Sequence, residues 1–298
     1  MYYVYMQKTR IQIAKRDIFD YLHSQPSVLK LSDLKTILSS QRQFWRLAQR
    51  TNTRDFIGFL SKEGKLKVLH FPFPHREETR YVWGDVPLLE VLLSLRPGCY
   101  FSHYTAVRMH GLTEQIPKTI YLNHEQHLKS QSFGGLAQSR IDMAFKRVAR
   151  TSNNVINFGD VKILLVNGKN TNQLGVVQET LSYDTADPVT VRLTNIERTL
   201  IDITVRPMYS GGIFEVQKAF RLAQDTVSVN ALAAMLKKID HTYPYHQAIG
   251  YYMERAGYKS TFLDLLRRFP MEYDFYLANQ MGETEYVKEW RLHVPKGF

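Results

Sequence analysis

The sequence has little of what marks secreted and membrane-spanning proteins. Cys99 is the one cysteine among 298 residues, which excludes an internal disulfide framework and a cysteine-rich zinc ribbon and is typical of a reducing compartment. A membrane-spanning helix needs about 18 uncharged apolar residues, and no stretch approaches that length because Glu90 interrupts the run from Val86 to Leu95. The opening segment MYYVYM is too short for a signal peptide. We expect a soluble cytoplasmic protein that does not enter membranes.

Sequence signatures of catalysis are also few. The chain has no G-x-x-x-x-G-K-[ST] phosphate loop, no G-x-G-x-x-G and no G-x-S-x-G elbow. His124 and His127 have an H-x-x-H spacing, but they stand in a polar segment without a third ligand nearby, and so we predict no metal site there. The sequence predicts a binding protein that is not an enzyme and has no cofactor.

An alternative is a Mg²⁺-dependent nuclease or nucleic-acid-modifying effector that uses the second part of the chain. Asp160-Val161-Lys162 precedes a predicted strand and half-matches nucleases that combine metal-binding carboxylates with a strand lysine. Asp142, which we place on the preceding strand, is the candidate for the second carboxylate. Because Asp-x-Lys is a frequent tripeptide, we rank this alternative below a binding function. A further possibility is a protein-binding scaffold formed by the helices from Phe214 to Phe269.

What the sequence does have is positive charge near its amino end. Residues 1–80 contain 15 Lys and Arg against 7 Asp and Glu, a surplus of 8, whereas the net charge of the whole chain is +11. Clustered cations bind phosphates and release the counterions condensed on a nucleic acid. The charge distribution predicts a small basic module that binds a polyanion, joined to a larger and nearly neutral module.

The first half of the basic module has helical patterns. Apolar residues recur at helical spacing from Arg10 to Leu22. Ser32 is a good cap for a second, short helix, which we end at Ser39-Ser40. A short helix followed by a polar turn favours a helix-turn-helix.

The second half of the module predicts two more helices and a ribbon. The pattern from Gln41 to Glu63 is helical but interrupted at residues 51–53, where Thr53 can cap a helix. Alternation from Lys65 to His70, and the segment from Thr79 to Trp83, predict two strands. Residues 1–85 are therefore predicted to form a winged helix-turn-helix. Its recognition helix stays open between Gln41–Arg50 and Thr53–Lys62.

The segment from Gln41 to Arg54 contains no acid, whereas ordinary charged surfaces intersperse both signs. Arg, Asn and Gln are the side chains that read base edges with two hydrogen bonds. The aromatic residues Phe44, Trp45, Phe56 and Phe59 have the spacing of core residues, and we expect them to be buried. The predicted DNA-binding residues are Arg42, Gln43, Arg46, Gln49, Arg50, Asn52, Thr53 and Arg54 near the recognition helix, with Lys65, Lys67, His75 and Arg76 on the wing.

Residues 86–298 are predicted to form a larger mixed α/β domain, so that the whole chain is α+β. Asp85-Val86-Pro87 is the predicted junction, and a helix capped by Ser102 ends at Gly111. Strands are predicted at Thr119–Asn123, Arg140–Val148, Val155–Phe158, Val161–Val166, Gly175–Gln178 and Val189–Leu193, with a hairpin turn at Asn167-Gly168. Thr194 and Glu197 have the spacing of a capping box. Helices at Phe214–Ala223, Val229–Ile239, Tyr245–Ala256 and Thr261–Arg268 form a C-terminal helical block.

Two segments carry a family resemblance. The first is SHYTAVRMHGLT at residues 102–113, followed by PKTIY at residues 117–121. The second is TNIERTLID at residues 194–202, followed by Pro207, Gly211-Gly212 and Ala219. In this order, and after a winged helix, they resemble the AbiEi family of antitoxins. The resemblance extends over nearly the whole chain, although residues 41–54 are longer than the compact helix-turn-helix expected for the family.

The resemblance implies a transcriptional regulator of a type IV toxin-antitoxin or phage-defence system. Its N-terminal domain would bind inverted repeats of double-stranded DNA in its own promoter and repress transcription. Its C-terminal domain would support antitoxin activity and cooperative DNA binding, with the protein a monomer or a weak dimer. The functional counterpart would be a nucleotidyltransferase-like toxin, opposed without a stable complex.

Overall fold

The computed structural model describes residues 8–63, 65–128, 135–182 and 187–298. The chain divides after Leu95 into two compact units, Met1–Leu95 and Arg96–Phe298, which we name the N-terminal unit and the C-terminal unit. Both combine helices with strands, so the chain is α+β as predicted. No helix within the described ranges is long and apolar enough to cross a membrane.

The N-terminal unit has five helices and one small sheet among its described residues. The elements are α1 (Arg10–Ile13), α2 (Lys15–His23), β1 (Val28–Leu29), α3 (Leu31–Gln41), α4 (Thr53–Lys62), β2 (Leu66–Phe71), β3 (Glu78–Trp83) and α5 (Leu88–Leu93). The sheet is antiparallel with strand order β1-β3-β2. Ile18, Leu34, Phe56 and Leu60 are fully buried between the helices, because their spacing puts them on the inner faces.

The segment between α3 and α4 differs from the prediction. α3 continues through Ser39 and Ser40, whose hydroxyls donate to the carbonyl oxygens of Thr36 at 2.9 Å and Ile37 at 3.2 Å. The predicted break is wrong because these bonds satisfy the two serines inside the helix. Residues 42–52 form turns, so the helix predicted at Gln41–Arg50 is also wrong.

The boundary between the units falls after the predicted junction at residues 85–87. Helix α5 buries Leu89, Val91 and Leu92 and belongs to the N-terminal unit. The buried guanidinium of Arg80 on β3 holds it there by donating to the carbonyl oxygens of Ser94 and Leu95, both at 2.9 Å.

The C-terminal unit is built on a six-stranded mixed sheet. Its elements begin with β4 (Tyr100–Phe101), α6 (His103–Met109), β5 (Thr119–Glu125), α7 (Gln138–Lys146), β6 (Val155–Phe158), β7 (Val161–Gly168), β8 (Val176–Leu181) and β9 (Val189–Thr194). The strand order is β6-β7-β5-β4-β9-β8. β5 is parallel to β7, and β4 is parallel to β9, so the carboxyl ends of β5 and β7 meet at one edge of the sheet.

A helical block follows the sheet, and a small second sheet follows the helices. The elements are α8 (Ile196–Val205), α9 (Ile213–Leu222), α10 (Val229–Ile239), α11 (Tyr245–Arg255), α12 (Ser260–Arg267), β10 (Phe275–Tyr276), β11 (Thr284–Val287) and β12 (Leu292–Pro295). The small sheet has strand order β10-β12-β11 and was not predicted. Trp290 lies fully buried against α11, where a Cβ added to Gly250 would stand 2.1 Å from the indole ring.

Three local predictions in the C-terminal unit are wrong. Residues 140–148 are mostly helical, because Ile141 and Phe145 share the buried face of α7. Asn167 and Gly168 do not form a hairpin turn but complete β7, where Gly168 pairs with Glu125. Thr194 is not the cap of α8. The side chain of Asn195 accepts from the backbone N–H of Arg198 at 2.9 Å and takes that place.

Candidate nucleic-acid interface

The turn between α3 and α4 is held closed by the side chain of Arg42. Its guanidinium donates to the carbonyl oxygens of Ala48 at 2.7 Å and Thr51 at 2.8 Å. Trp45 and Leu47 bury their side chains beneath the turn. Arg42 was predicted to contact DNA, but the structure uses it to organise the backbone on which its neighbours stand.

Helix α4 begins with a reciprocal cap. The Oδ1 of Asn52 accepts from the backbone N–H of Asp55 at 2.9 Å, and the Asp55 carboxylate accepts from the backbone N–H of Asn52 at 3.2 Å. The helix therefore starts one residue earlier than a Thr53 cap would place it. Asn52 was predicted as a base-reading residue, but its side-chain oxygen Oδ1 is already used in the cap.

The exposed face of α4 combines cationic side chains with small residues. Arg54, Gly58 and Lys62 recur every four residues on this face, and Ser61 lies beside them. A Cβ added to Gly58 would meet nothing within 4 Å. Glycine in an exposed helix interior costs about 0.5–1 kcal/mol relative to alanine. The face therefore allows another molecule to come close to the helix backbone.

A set of exposed cations surrounds this turn and helix, and none of them forms an ion pair with a carboxylate among the described residues, although Lys65 acts on Asp85 at longer range. This unpaired cation set consists of Arg46, Arg50, Arg54, Lys62 and Lys65. The two carboxylates in the same region have other partners, because Asp55 caps α4 and Glu63 pairs with Lys15. The unpaired cation set is free to meet an external anion without breaking an internal pair.

The β2–β3 ribbon contributes less free charge than predicted. Lys67 is exposed, but its Nζ lies 2.5 Å from Oδ1 of Asp85. Nε of Arg76 lies 3.1 Å from Oε1 of Glu78. The Lys67–Asp85 pair is exposed on both sides, and such a pair is worth about 0–1 kcal/mol and exchanges readily with solvent or another anion. The Glu78 carboxylate is buried, so Arg76 is held by a partner that solvent does not reach.

The remaining predicted residues have mixed environments. Gln43, Gln49 and His75 are exposed, whereas Thr53 is half-buried at the start of α4. Phe44 was expected in the core but is 72 % exposed, because the turn replaces the helix that would have directed it inwards.

Sequence reasoning missed Gly58, Ser61 and Lys62. Once α4 is fixed as the exposed helix, Gly58 and Lys62 follow from the i+4 and i+8 spacing that starts at Arg54, and Ser61 follows at i+7. The sequence left two candidate helices open, and the missed residues belong to the one that forms.

The residues of the alternative nuclease do not lie together on strands. Asp142 is on helix α7, where Oδ1 accepts from Nε2 of Gln138 at 2.8 Å and from the hydroxyl of Tyr276 at 3.0 Å. Asp160 is in the turn between β6 and β7, and Lys162 is on β7. Within the described residues, no group of three or more His, Cys, Asp or Glu side chains could hold a metal ion. The geometry gives no support to metal-dependent cleavage by these residues.

The two segments that carry the family resemblance contact each other in the C-terminal unit. A ring nitrogen of His110, Nε2, lies 2.6 Å from the carbonyl oxygen of Thr194. The carboxylate of Glu215 accepts from the hydroxyls of Tyr104 at 2.9 Å and Thr113 at 3.0 Å. The segments are distant in sequence, yet they form one packed region.

A buried polar group lies next to this contact. Nε of Arg198 lies 2.8 Å from Oδ1 of Asp202, and the side chains are 5 % and 12 % exposed. Burial alone would lower the pKa of Arg198, but Asp202 raises it overall, and so the guanidinium is charged. Burial lowers the pKa of His103 to about 4, which makes this imidazole neutral at pH 7. His103 also has a φ of 51°, an uncommon backbone conformation for a non-glycine residue.

The comparisons with known proteins give the fold and no function. No protein-family model matches the chain, and no curated protein matches it. Its fold is similar to that of the RV2827C protein from Mycobacterium tuberculosis, a crystal structure that aligns with a TM-score of 0.59 and 14 % sequence identity. The alignment covers 96 % of this chain and 93 % of the other, so both units take part in the similarity.

Proposed function

We propose that the protein is a sequence-specific DNA-binding transcriptional repressor that acts at its own promoter and has antitoxin function. The observation that carries DNA binding is the unpaired cation set, exposed around one turn and one helix. A nucleic acid supplies the missing anions as a regular row of phosphates.

In this proposal the N-terminal unit is a winged helix-turn-helix. From α2 to β3 the element order is helix, strand, two helices and two strands, which suits that assignment with the antiparallel β2–β3 ribbon as the wing. Helix α4 is the recognition helix, since α3 and α4 flank the turn and residues 42–50 are not helical. The assignment leaves Arg54 and Lys62 on the face that enters the major groove.

The same geometry separates base reading from phosphate binding. Arg54 stands in the first turn of α4, the part of a recognition helix that contacts base edges. Arg46 and Arg50 are on the preceding turn, and Lys65 directly precedes β2, which suits them to the two flanking phosphate backbones. Specificity is therefore assigned to Arg54 and general affinity to the others.

The antitoxin part of the proposal rests on the resemblance to the AbiEi family. The two segments that carry it pack together through His110 and Glu215, which gives them a shared structural role in the C-terminal unit. The toxin opposed would be a nucleotidyltransferase-like protein encoded beside this gene.

DNA binding is tested by fluorescence anisotropy of the full chain with the DNA directly upstream of its gene, against a shuffled sequence of equal length. A protein that contacts six to ten phosphates loses about a thousandfold or more in affinity between 50 and 200 mM salt. We expect tight, salt-sensitive binding that favours the upstream DNA. Equal affinity for both sequences at every salt concentration would remove the repressor proposal.

Antitoxin function is tested separately, by expressing the neighbouring nucleotidyltransferase-like gene with and without this chain. We expect growth arrest that the full chain relieves. A matched variant, Arg54→Gln, is expected to relieve it equally when both genes are expressed from foreign promoters, because no operator is then involved. Arrest that the full chain leaves unchanged would contradict the antitoxin role while leaving DNA binding standing.

A further inference from the structure

The C-terminal unit contains a polar pocket that the proposed function does not use. It opens at the carboxyl ends of β5 and β7, beside Asn123 and Gly168, and has a volume of about 240 Å³. Helix α8 forms one wall and residues 241–245 form another. Crevices at the carboxyl ends of parallel strands are common ligand sites in α/β sheets.

The charge of the pocket is mainly positive. Lys169, Arg198 and Arg206 line it, against the single carboxylate of Asp202 among its lining residues. Nζ of Lys169 is fixed by the carbonyl oxygens of Ile239 at 2.7 Å and Asp240 at 2.6 Å, neither of which neutralises it. An anion entering the pocket meets an excess of positive charge in a partly dry environment, where electrostatic attraction is stronger than in bulk water.

Two nitrogen atoms around the pocket have no hydrogen-bond partner within the described part of the chain. Arg198 uses Nε for Asp202 and Nη1 for Thr171 and the Leu174 carbonyl, which leaves Nη2 unused. Nε2 of His241 is buried and unpartnered. Buried polar atoms are nearly always hydrogen-bonded, and each exception needs an explanation.

The histidines of the pocket are suited to donate hydrogen bonds as neutral side chains. Burial lowers the pKa of both His103 and His241 to about 4, although Asp202 opposes this shift. Nδ1 of His103 lies 2.8 Å from the hydroxyl of Ser102, which leaves Nε2 for another partner. A neutral imidazole offers one N–H, so each ring can give one hydrogen bond to an acceptor.

These features together predict that the pocket binds an anion with several hydrogen-bond acceptors. Unused N–H groups from arginine and histidine around an excess of positive charge match the oxygens of a phosphate group. Tyr243 and Tyr245, which line the pocket, also line the two neighbouring cavities, of about 400 and 380 Å³, so a substituent on the phosphate has room to extend past them.

We propose that this pocket binds a small ligand through a phosphate group, held by Arg198, Arg206 and His241. The phosphate belongs either to inorganic phosphate or to a phosphate monoester of sugar-phosphate size. The site is independent of the DNA interface, because every residue that lines it belongs to the C-terminal unit.

The test is isothermal titration of the full chain with inorganic phosphate, ribose 5-phosphate and ribose. We expect saturable binding of at least one of the two phosphates and none of ribose. Tighter binding of ribose 5-phosphate identifies a monoester as the occupant, whereas equal binding identifies free phosphate. No saturable binding of either phosphate up to 10 mM, or equal binding of ribose and ribose 5-phosphate, would overturn the proposal.

Variants place the binding in the pocket. Arg206→Gln and His241→Gln are each expected to weaken binding at least tenfold. The matched controls are Arg221→Gln, an exposed arginine on α9, and Arg54→Gln in the N-terminal unit, and both are expected to bind as the unaltered chain does. Circular dichroism verifies the fold of each variant. Loss of binding in Arg54→Gln with retention in Arg206→Gln would assign the phosphate to the DNA interface and contradict the proposal.

Discussion

The cations around α4 and the arginines of the C-terminal helices have opposite environments. In the N-terminal unit the unpaired cation set is exposed and has no carboxylate partner among the described residues. In the C-terminal unit Arg198 pairs with Asp202 at 2.8 Å, and Arg267 pairs with Asp264 at 2.9 Å. The difference is that the cations around α4 form no ion pair inside the described part of the unit, whereas these two arginines are matched by carboxylates within the fold.

The histidines differ in the same way. His23, His70 and His75 of the N-terminal unit are exposed. In the C-terminal unit, burial lowers the pKa of His103, His241 and His246 to about 4 each. The C-terminal unit therefore has buried groups whose protonation opposes folding. Acid should lower its stability, and we expect this to be the largest difference between the two units.

The largest effect is expected from acid. The folded pKa of about 4 for His103, His241 and His246 lies below the ordinary value of 6.5, so the unfolded chain binds more protons between these values. The contribution of each neutral histidine to the free energy of unfolding is fully present above pH 6.5. It is lost as the pH falls towards 4, by up to about 3 kcal/mol for each histidine. Calorimetry at pH 7 and pH 4.5 should show the C-terminal unit unfolding at a lower temperature in acid.

The control separates histidines from carboxylates, which also titrate in acid. His241→Gln should remove part of the pH dependence, whereas the matched variant His70→Gln at an exposed position should not. An identical pH dependence in His241→Gln and in the unaltered chain would contradict the buried-histidine explanation.

Two helical glycines provide the next comparison. In the C-terminal unit, an alanine at Gly250 would overlap the ring of Trp290 at 2.1 Å, and overpacking of this kind costs about 1–3 kcal/mol. In the N-terminal unit, Gly58 has open space, and Gly58→Ala should stabilise α4 by about 0.5–1 kcal/mol. Urea unfolding of both variants measures the change in the free energy of unfolding, which should fall for Gly250→Ala and rise for Gly58→Ala. A stabilised Gly250→Ala variant would show that Trp290 does not pack on this glycine.

Two arginines of the N-terminal unit should separate DNA binding from stability. Arg54→Ala is expected to weaken binding to the upstream DNA by about 1–3 kcal/mol if the side chain reads a base, with little change in melting temperature. Arg42→Ala removes the bonds to Ala48 and Thr51 and should lower the melting temperature. Anisotropy and thermal unfolding on both variants provide the comparison. Equal loss of affinity for upstream and shuffled DNA in Arg54→Ala would reassign that arginine to a phosphate.

The smallest loss of stability is expected at the start of α4. Asn52→Ala removes the reciprocal cap with Asp55 and should cost about 1 kcal/mol of stability. Thr53→Ala is the matched control, since Asn52 rather than Thr53 is the cap. A larger loss of stability in Thr53→Ala, measured by urea unfolding, would restore the sequence-based assignment.

Local signals explain which elements were predictable. α10 was predicted at its observed bounds, because Ser228 caps it and apolar residues recur along one face. Residues 140–148 alternate well enough for a strand, and tertiary packing of Ile141 and Phe145 decides for a helix. The strands of the small C-terminal sheet are two to four residues long and have no period to detect.

The candidate sites were predictable to different degrees. The candidate DNA interface consists of residues close in sequence, and composition pointed to it, but the bonds of Arg42 to the turn depend on a backbone that composition does not describe. The polar pocket joins His103, Lys169, Arg198 and His241, which no short motif connects. Only the folded chain brings these side chains together.

The most direct test of the central claim removes charge in equal amounts from the two units. The double variant Arg54→Gln/Lys62→Gln removes two cations from the exposed face of α4, and Arg221→Gln/Lys238→Gln removes two exposed cations from the C-terminal unit. The measurement is the salt dependence of binding to upstream DNA, whose slope falls by about one for each phosphate that the protein no longer neutralises. We predict a slope lower by about two and at least tenfold weaker binding for the first variant, with no change for the second. Equal effects of the two variants would contradict the assignment of DNA binding to the N-terminal unit.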